Sequence, residues 1–246
     1  MKNKLIALFI LCVAVIANAQ SVPTIGKSAP REHRGFYNST SFGIAYNWFD
    51  NSLDDTDKYQ NRQRHDVEIY EYNGYSFALG EFKFGVAIAD LVAFHTVFNV
   101  GFFMGTVDYS NERYQEYCTE AGCVNMAQID GIDDPTSNDA YNFRTYFGFG
   151  ATFYPFRDKN SPMNGFFVGA SLGYTLFVAV INGGNDSATG NGGFGFELEA
   201  GKEWWINDHY AIGFGVGFAH SSLVWETVKS HKSDNVLSLS FRMTRG

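Results

Sequence analysis

From about residue 36 onward, large apolar side chains recur at every second position, the spacing that places them on one face of a β-strand. Over 36–49, Phe36, Thr40, Phe42, Ile44, Tyr46 and Trp48 share one face, and Ser39, Ser41, Gly43, Ala45 and Asn47 share the other. The same division runs through 92–107, 141–154, 166–178, 194–205, 210–221 and 235–244. In 210–221, for example, Tyr210, Ile212, Phe214, Val216 and Phe218 oppose Ala211, Gly213, Gly215, Gly217 and Ser221. The segment 67–88 is less regular: its large residues are odd-numbered at Val67, Ile69, Tyr75, Phe77 and Leu79, then even-numbered at Phe82, Phe84 and Val86. That phase change predicts a β-bulge near Gly80. These segments make eight strands, an even number that permits complete antiparallel closure.

Residue size decides which face points inward. A soluble ligand-binding barrel keeps bulky apolar side chains inside and polar ones outside. Here the second face carries mainly Gly, Ala and Ser with a few charges, which suits a narrow lumen and not a wet exterior. The aromatic face then points outward, as an apolar ring far larger than the few hundred Å² that soluble monomers expose, and lipid is its natural solvent. In hydrocarbon a sheet must close so that no backbone group is left unpaired. The predicted class is therefore all-β, an eight-stranded antiparallel up-and-down transmembrane β-barrel over 36–246.

The ends of the chain supply location. Lys2 and Lys4 precede an apolar run from Leu5 to Ala17, and Ala17-Asn18-Ala19 offers small residues at a cleavage site, which predicts an export signal peptide over 1–19. The run is shorter than the roughly 20 residues of a spanning helix. A polar segment over 20–35 follows and is expected to be periplasmic. Long connections at 50–66, 108–140, 179–193 and 222–234 alternate with shorter ones at 89–91, 155–165 and 206–209, the parity of exterior loops and periplasmic turns. Both termini are thereby expected in the periplasm.

Composition narrows the chemistry. Charged residues are 18 % and aromatics 17 % of 246, a mixture that folds and is not disordered. The formal net charge is -8, and loss of Lys2 and Lys4 with the leader takes it to -10, which argues against nucleic acid as partner. Cys118 and Cys123, separated by Thr-Glu-Ala-Gly, are expected to form a local disulfide in an oxidising compartment, since no His or third Cys nearby completes a metal site. No metal or cofactor is expected.

The leader, the eight alternating segments and the last strand Leu237-Ser238-Leu239-Ser240-Phe241 together resemble the small outer-membrane β-barrel family, of the OmpX and OmpA transmembrane-domain type. The resemblance covers 36–244. It implies a bacterial outer-membrane location, outer-membrane lipid as surroundings, and barrel-assembly machinery as a partner during biogenesis. The chain continues past Phe241 to Gly246 where the family's assembly signal ends on an aromatic.

Charges inside spanning strands should point inward, because a Lys or Arg facing lipid at the midplane costs about 2–4 kcal/mol. Lys83, His95, Arg144, Glu197, Glu199 and Arg242, with Glu81 dependent on the bulge, are expected to form an ion network filling the lumen. Lys202 falls on the outward parity and is expected to snorkel to the interface. Trp48, Trp204, Trp205 and Trp225 lie near strand ends and are expected as interface aromatics. The acidic stretch 108–140 matches no EF-hand spacing and is expected to be a solvated exterior loop in preference to a dedicated calcium site, with divalent cations, a glycan or an extracellular protein as its candidate contacts. The expected role is non-enzymatic: surface interaction or envelope integrity. A small-solute or hydrophobic-compound conduit is the alternative, and a lipid-modifying enzyme using His65 or His220 is a second.

Overall fold

The computed structural model describes residues 31–59, 62–119, 122–128, 136–181, 187–223 and 232–245. The leader expected over 1–19, most of the segment 20–35, and Trp225 lie outside these residues. The strands are β1 (Gly35–Tyr59), β2 (Arg62–Ile88), β3 (Val92–Thr119), β4 (Gly122–Gln128), β5 (Thr136–Phe153), β6 (Phe166–Ile181), β7 (Ser187–Trp205), β8 (Tyr210–Leu223) and β9 (Lys232–Arg245). Eight of them, all but β4, form a closed antiparallel ring in chain order, with β9 pairing β1 through Asn38↔Arg245 to Asn51↔Lys232. The chain is an eight-stranded antiparallel β-barrel. Closure pairs the edges that an open sheet would leave bare.

One end of the barrel, called here the turn end, holds the short connections after β2, β5 and β7 together with the start of β1 and the end of β9. The opposite, loop end is asymmetric. β1, β2 and β3 have 25, 27 and 28 residues, whereas β8 and β9 have 14 each. Pairing of β1 with β9 stops at Asn51 and pairing of β3 with β5 at Tyr109, yet β1 continues against β2 to Tyr59↔Arg62. β3 continues against β4, so a four-stranded sheet in the order β1-β2-β3-β4 projects past the rim. The expectation of loops over 50–66 and 108–140 is corrected here: much of both is strand. Over 52–59 and 110–117 the sequence is mostly polar and carries no period-2 hydrophobic signal. Cys118 and Cys123 are direct register partners in the β3–β4 hairpin.

The inversion of faces is present. Phe77, Phe194 and Leu172 are 77 %, 76 % and 72 % exposed on the outer wall, and Lys83, Arg144 and Arg242 are buried within. Two details refine the expectation. The bulge expected near Gly80 lies two residues before it, at Phe77–Ala78, since register shifts occur between Tyr75 and Ala78 against β3, and between Gly43 and Ala45 against β1. Ala78 N donates to Ser76 Oγ at 3.1 Å, and Leu79 is already on the inner face. The lumen is also fuller than a lining of small residues implies. Tyr37, Tyr72, Phe103, Tyr146, Phe167 and Phe177 are buried inside it. Bulky side chains share the bore with glycines: a Cβ on Gly201 would meet Phe167 Cζ at 2.6 Å.

Removing the hydroxyl that holds the bulge, Ser76→Ala, is expected to cost about 1 kcal/mol in equilibrium urea unfolding, the usual worth of one such bond. A change indistinguishable from zero would count against the bulge being held by Ser76.

Candidate functional site

Inward parity on separate strands brings the expected ion network together. Lys83 on β2 places Nζ 2.6 Å from Glu199 and 3.0 Å from Glu81, which settles Glu81 inside the lumen. Arg242 on β9 reaches Glu199 at 3.1 Å and Glu203 at 2.8 Å, donates to the Tyr37 hydroxyl, and lies 4.3 Å from the centre of the Phe167 ring. Glu199 is the meeting point of the two cations. Its other oxygen accepts from Thr152 Oγ1 at 3.2 Å, so the Thr152 proton is spent and His95 Nε2 is the donor in its 3.0 Å bond to Thr152. A Cβ on Gly169 would sit 2.3 Å from Glu199 Oε1, so β6 makes room for that carboxylate by having no side chain there.

Toward the loop end, Arg144 on β5 contacts Glu197 at 3.8 Å and donates from Nε to Asp234 at 2.7 Å. Asp234 also accepts from Asn47 Nδ2 at 2.6 Å, and Asn142 Nδ2 donates to Asn47 Oδ1 at 2.8 Å. Asp234, Glu203, Asn47 and Asn142 were not among the expected network. Asp234 and Glu203 lie close to strand ends, where parity is hard to extend. Among the described residues, Glu81, Glu197, Glu199, Glu203 and Asp234 oppose Lys83, Arg144 and Arg242, so carboxylates outnumber cations by two.

Aromatic layers close both ends of this polar middle. Phe49, Tyr72 and Phe177 cluster toward the loop end, with Phe49 4.9 Å from Tyr72 and 5.4 Å from Phe177. Tyr37, Tyr154 and Phe167 cluster at the turn end. The space left beside Ser41, Glu81, Lys83, His95 and Glu197 is about 40 Å³. That volume holds a few water molecules and no larger solute. Among the described residues, no three or more His, Cys, Asp or Glu side chains converge as a metal-ligand set.

The segment ahead of β1 is part of the turn-end closure, which the sequence pattern did not signal. His33 is buried, stacked on Tyr154 at 3.9 Å and 4.7 Å from Trp205, with Nε2 3.5 Å from Glu203. Its backbone N donates to Asp90 Oδ1 at 2.9 Å, and Asp90 N returns a bond to His33 O at 3.0 Å. Arg31 N donates to Asp208 O at 2.9 Å, tying the segment to a second turn. Burial holds the His33 imidazole down to about 3, and the nearby Arg242 charge acts the same way. Burial raises the Asp90 carboxyl to about 6, partly offset by the bond from His33 N.

Trp205 is corrected from an interface aromatic to an inward one, because consecutive residues on a strand face opposite ways and Trp204 takes the outer side. Trp48 stacks on Tyr46 at 5.4 Å on the outer wall. Lys202 donates to the carbonyl oxygens of Pro162 and Asn164 and lies 5.5 Å from the Trp204 ring, at the turn-end rim. His220 faces outward and Ser221 inward, while the His65 side chain lies outside the described residues.

Comparison with solved structures finds small outer-membrane β-barrels. The likeness is one of fold. Neisserial surface protein A has a TM-score of 0.39 at 11 % identity, with 85 % of this chain and 96 % of that chain covered. Ail, the attachment invasion locus protein of Yersinia pestis, has a TM-score of 0.38 at 11 % identity, covering 84 % of this chain and 97 % of its own. The outer membrane protein OprG from Pseudomonas aeruginosa has a TM-score of 0.36 at 13 % identity, covering 90 % and 99 %. No protein-family model matches the sequence, and no curated protein matches it. The barrel assignment rests on the strand register itself.

Two outcomes follow from this geometry. Arg242→Met is expected to destabilise by about 3–5 kcal/mol, because it strands the buried Glu203 carboxylate, and Glu199→Gln by less, because Lys83 keeps Glu81 and Arg242 keeps Glu203. The double variant is expected to cost less than their sum in a double-mutant cycle of urea unfolding, and additivity would show the pair to be uncoupled. For Asp90 the folded pKa is raised, so its contribution is present below the unfolded value near 3.8 and is lost as pH rises through about 6. His33 adds the opposite slope, losing stability as pH falls from 6.5 toward about 3. Over pH 4–6 the two slopes oppose and cancel, so Asp90→Asn is expected to uncover the His33 slope, with unfolding midpoints rising as pH rises across that range; midpoints as flat in the variant as in the unmodified chain would assign the titration elsewhere.

Proposed function

We propose that the chain is an integral protein of the bacterial outer membrane, with a side-chain-filled lumen, both termini in the periplasm, and a non-transport role in surface interaction or envelope integrity. The observation that carries this reading is the apolar ring around a closed barrel. Outward Phe94, Phe149, Leu172, Phe194 and Phe214, among others, leave no polar outer shell at mid-height. Water would penalise that surface heavily, and lipid would not. Leakage of solutes is opposed by the ion network, the two aromatic layers and the His33 segment. The conduit alternative is disfavoured by the same filling. The projecting sheet of β1 to β4 supplies an exterior surface for contact with a protein or glycan, and Cys118 and Cys123, opposite each other in its hairpin, would be joined as a disulfide that stiffens it.

The test is insertion with a single change on the wall. Purified protein refolded into phospholipid vesicles is expected to remain membrane-bound and to shift in electrophoretic mobility on boiling. Leu172→Arg, at a mid-wall position, is expected to weaken folding into the vesicles by about 2–4 kcal/mol. Planar bilayers are expected to show no stable single-channel openings. Full solubility in buffer without detergent, or an unaffected Leu172→Arg, would overturn the membrane reading; steady conductance would overturn the sealed lumen.

A further inference from the structure

Each cation of the lumen network is answered by a carboxylate at short range: Lys83 by Glu199 at 2.6 Å, Arg144 by Asp234 at 2.7 Å and Arg242 by Glu203 at 2.8 Å. Glu81 and Glu197 are left over. Each only shares a cation that is already paired, Glu81 with Lys83 at 3.0 Å and Glu197 with Arg144 at 3.8 Å. Both line the cavity of about 40 Å³, so the surplus negative charge of the bore is gathered beside that space. A carboxylate withdrawn from water without its own counter-charge is costly.

Neighbouring strands bring neutral oxygen to the same place. Register sets Ser41, Glu81 and Asn99 side by side on β1, β2 and β3, in the pairs Ser41↔Glu81 and Glu81↔Asn99. Asn99 Nδ2 donates across the bore to Glu197 Oε1 at 3.3 Å, which fixes the direction of the amide. Its carbonyl oxygen Oδ1 has no hydrogen-bond partner among the described residues, although Asn99 is only 7 % exposed and projects into the cavity. Ser41 Oγ donates to Glu81 at 3.4 Å and keeps its lone pairs. An orphaned acceptor beside two surplus carboxylates calls for positive charge. The room for it comes from β8 and β9, whose inward residues here are Gly215, Gly217, Ser238 and Ser240.

We infer that Glu81, Glu197 and Asn99 Oδ1 form a binding site for one hard divalent cation of calcium's size, with Ser41 Oγ and water completing its shell. Every donor is oxygen, which suits calcium or magnesium and not the softer transition metals. Calcium takes an irregular oxygen set, whereas magnesium demands a near-ideal octahedron, and two surplus carboxylates match a double positive charge. The Lys83 ammonium beside Glu81 is balanced by Glu199. Bound there, the ion would tie β2, β3 and β7 together across the bore. The aromatic layers at both ends would make its escape slow, so it would be taken up as the barrel closes. The inference goes beyond the surface role proposed above and rests on the closed lumen, not on the membrane reading.

The test uses the full chain refolded in detergent micelles with calcium as the probe, with unbound ion removed by gel filtration and folding of every variant checked by the mobility shift on boiling. The unmodified chain is expected to retain about one calcium per barrel through brief exposure to EGTA, counted by elemental mass spectrometry. It should also unfold at higher urea than the same chain refolded in EGTA. Calcium on the acidic stretch 108–140 would be stripped by the brief chelation. Glu81→Gln combined with Glu197→Gln should remove the retained calcium and the difference in midpoints together. Asn99→Leu should weaken retention by about tenfold, and Asn99→Asp should keep it. A folded unmodified barrel that retains no calcium and unfolds alike in calcium and EGTA holds water only, which overturns the site. Retention unchanged in the double variant also overturns it. Should that variant fail to fold, the unmodified chain and the two Asn99 variants decide by the same readouts, equal retention in Asn99→Leu counting against the site.

Discussion

The constraint on which the rest of the structure depends is the volume inside a closed ring of eight strands. Once β9 pairs with β1, the bore is only wide enough for side chains. Each inward residue must then find a partner across the axis, and a charge placed there has little water to turn to. Arg242 is where this matters most. Two carboxylates, a tyrosine hydroxyl and an aromatic face surround its guanidinium, so a fully buried cation keeps most of its donors occupied. Such an ion pair is weak evidence of net stability, because well-packed apolar residues can do as well. Its effect on specificity is plainer: Lys83 and Arg242 converge on Glu199 from β2 and β9, and a one-residue slip of either strand would turn its cation outward.

Closure also governs the turn end. The barrel presents its inner aromatic layer there to solvent unless something covers it, and residues 31–34 do so. Reciprocal bonds between His33 and Asp90 fix the segment to the β2–β3 turn, and Arg31 fixes it to the β7–β8 turn. Ala89 and Asp90 both adopt positive φ, 57° and 53°, conformations that cost a non-glycine residue energy. The turn accepts that cost while Asp90 takes a bond from the segment. Burial makes both side chains oppose ionisation, in opposite pH directions, so the contact is electrically quiet between their two shifted values.

How much of this was legible depended on whether a residue's role was written in its parity. Lys83, His95, Arg144, Glu197, Glu199 and Arg242 sit within strands whose apolar neighbours announce the outward face, and their inward direction follows from alternation alone. Glu81 lay beyond the bulge, and only the register places it. Asp234 escaped notice because it stands at the strand margin, and His33 because it precedes any periodic segment. The sheet projecting from β1 to β4 is opaque for another reason: over 52–59 and 110–117 its sequence is mostly polar and charged, with no period-2 hydrophobic signal to detect. Trp204 and Trp205 are adjacent residues at a strand end, and the pleat separates them onto opposite faces, which their shared position near the rim does not reveal.

The same parity argument bears on the outer wall. Polar groups facing lipid are tolerated when they satisfy one another, or when they stand where the hydrocarbon ends. His220 and Asn235 meet both conditions, since they bond each other across the β8–β9 ladder just beyond Phe218. Anchoring alone does not call for them, because a Tyr or Trp girdle would suffice at that height. Structural necessity explains the buried ions, which have no alternative inside a narrow bore. The outward pair answers to a different condition: it stands where the apolar positions of β8 give way to polar ones, with each partner's polar atom turned to the other.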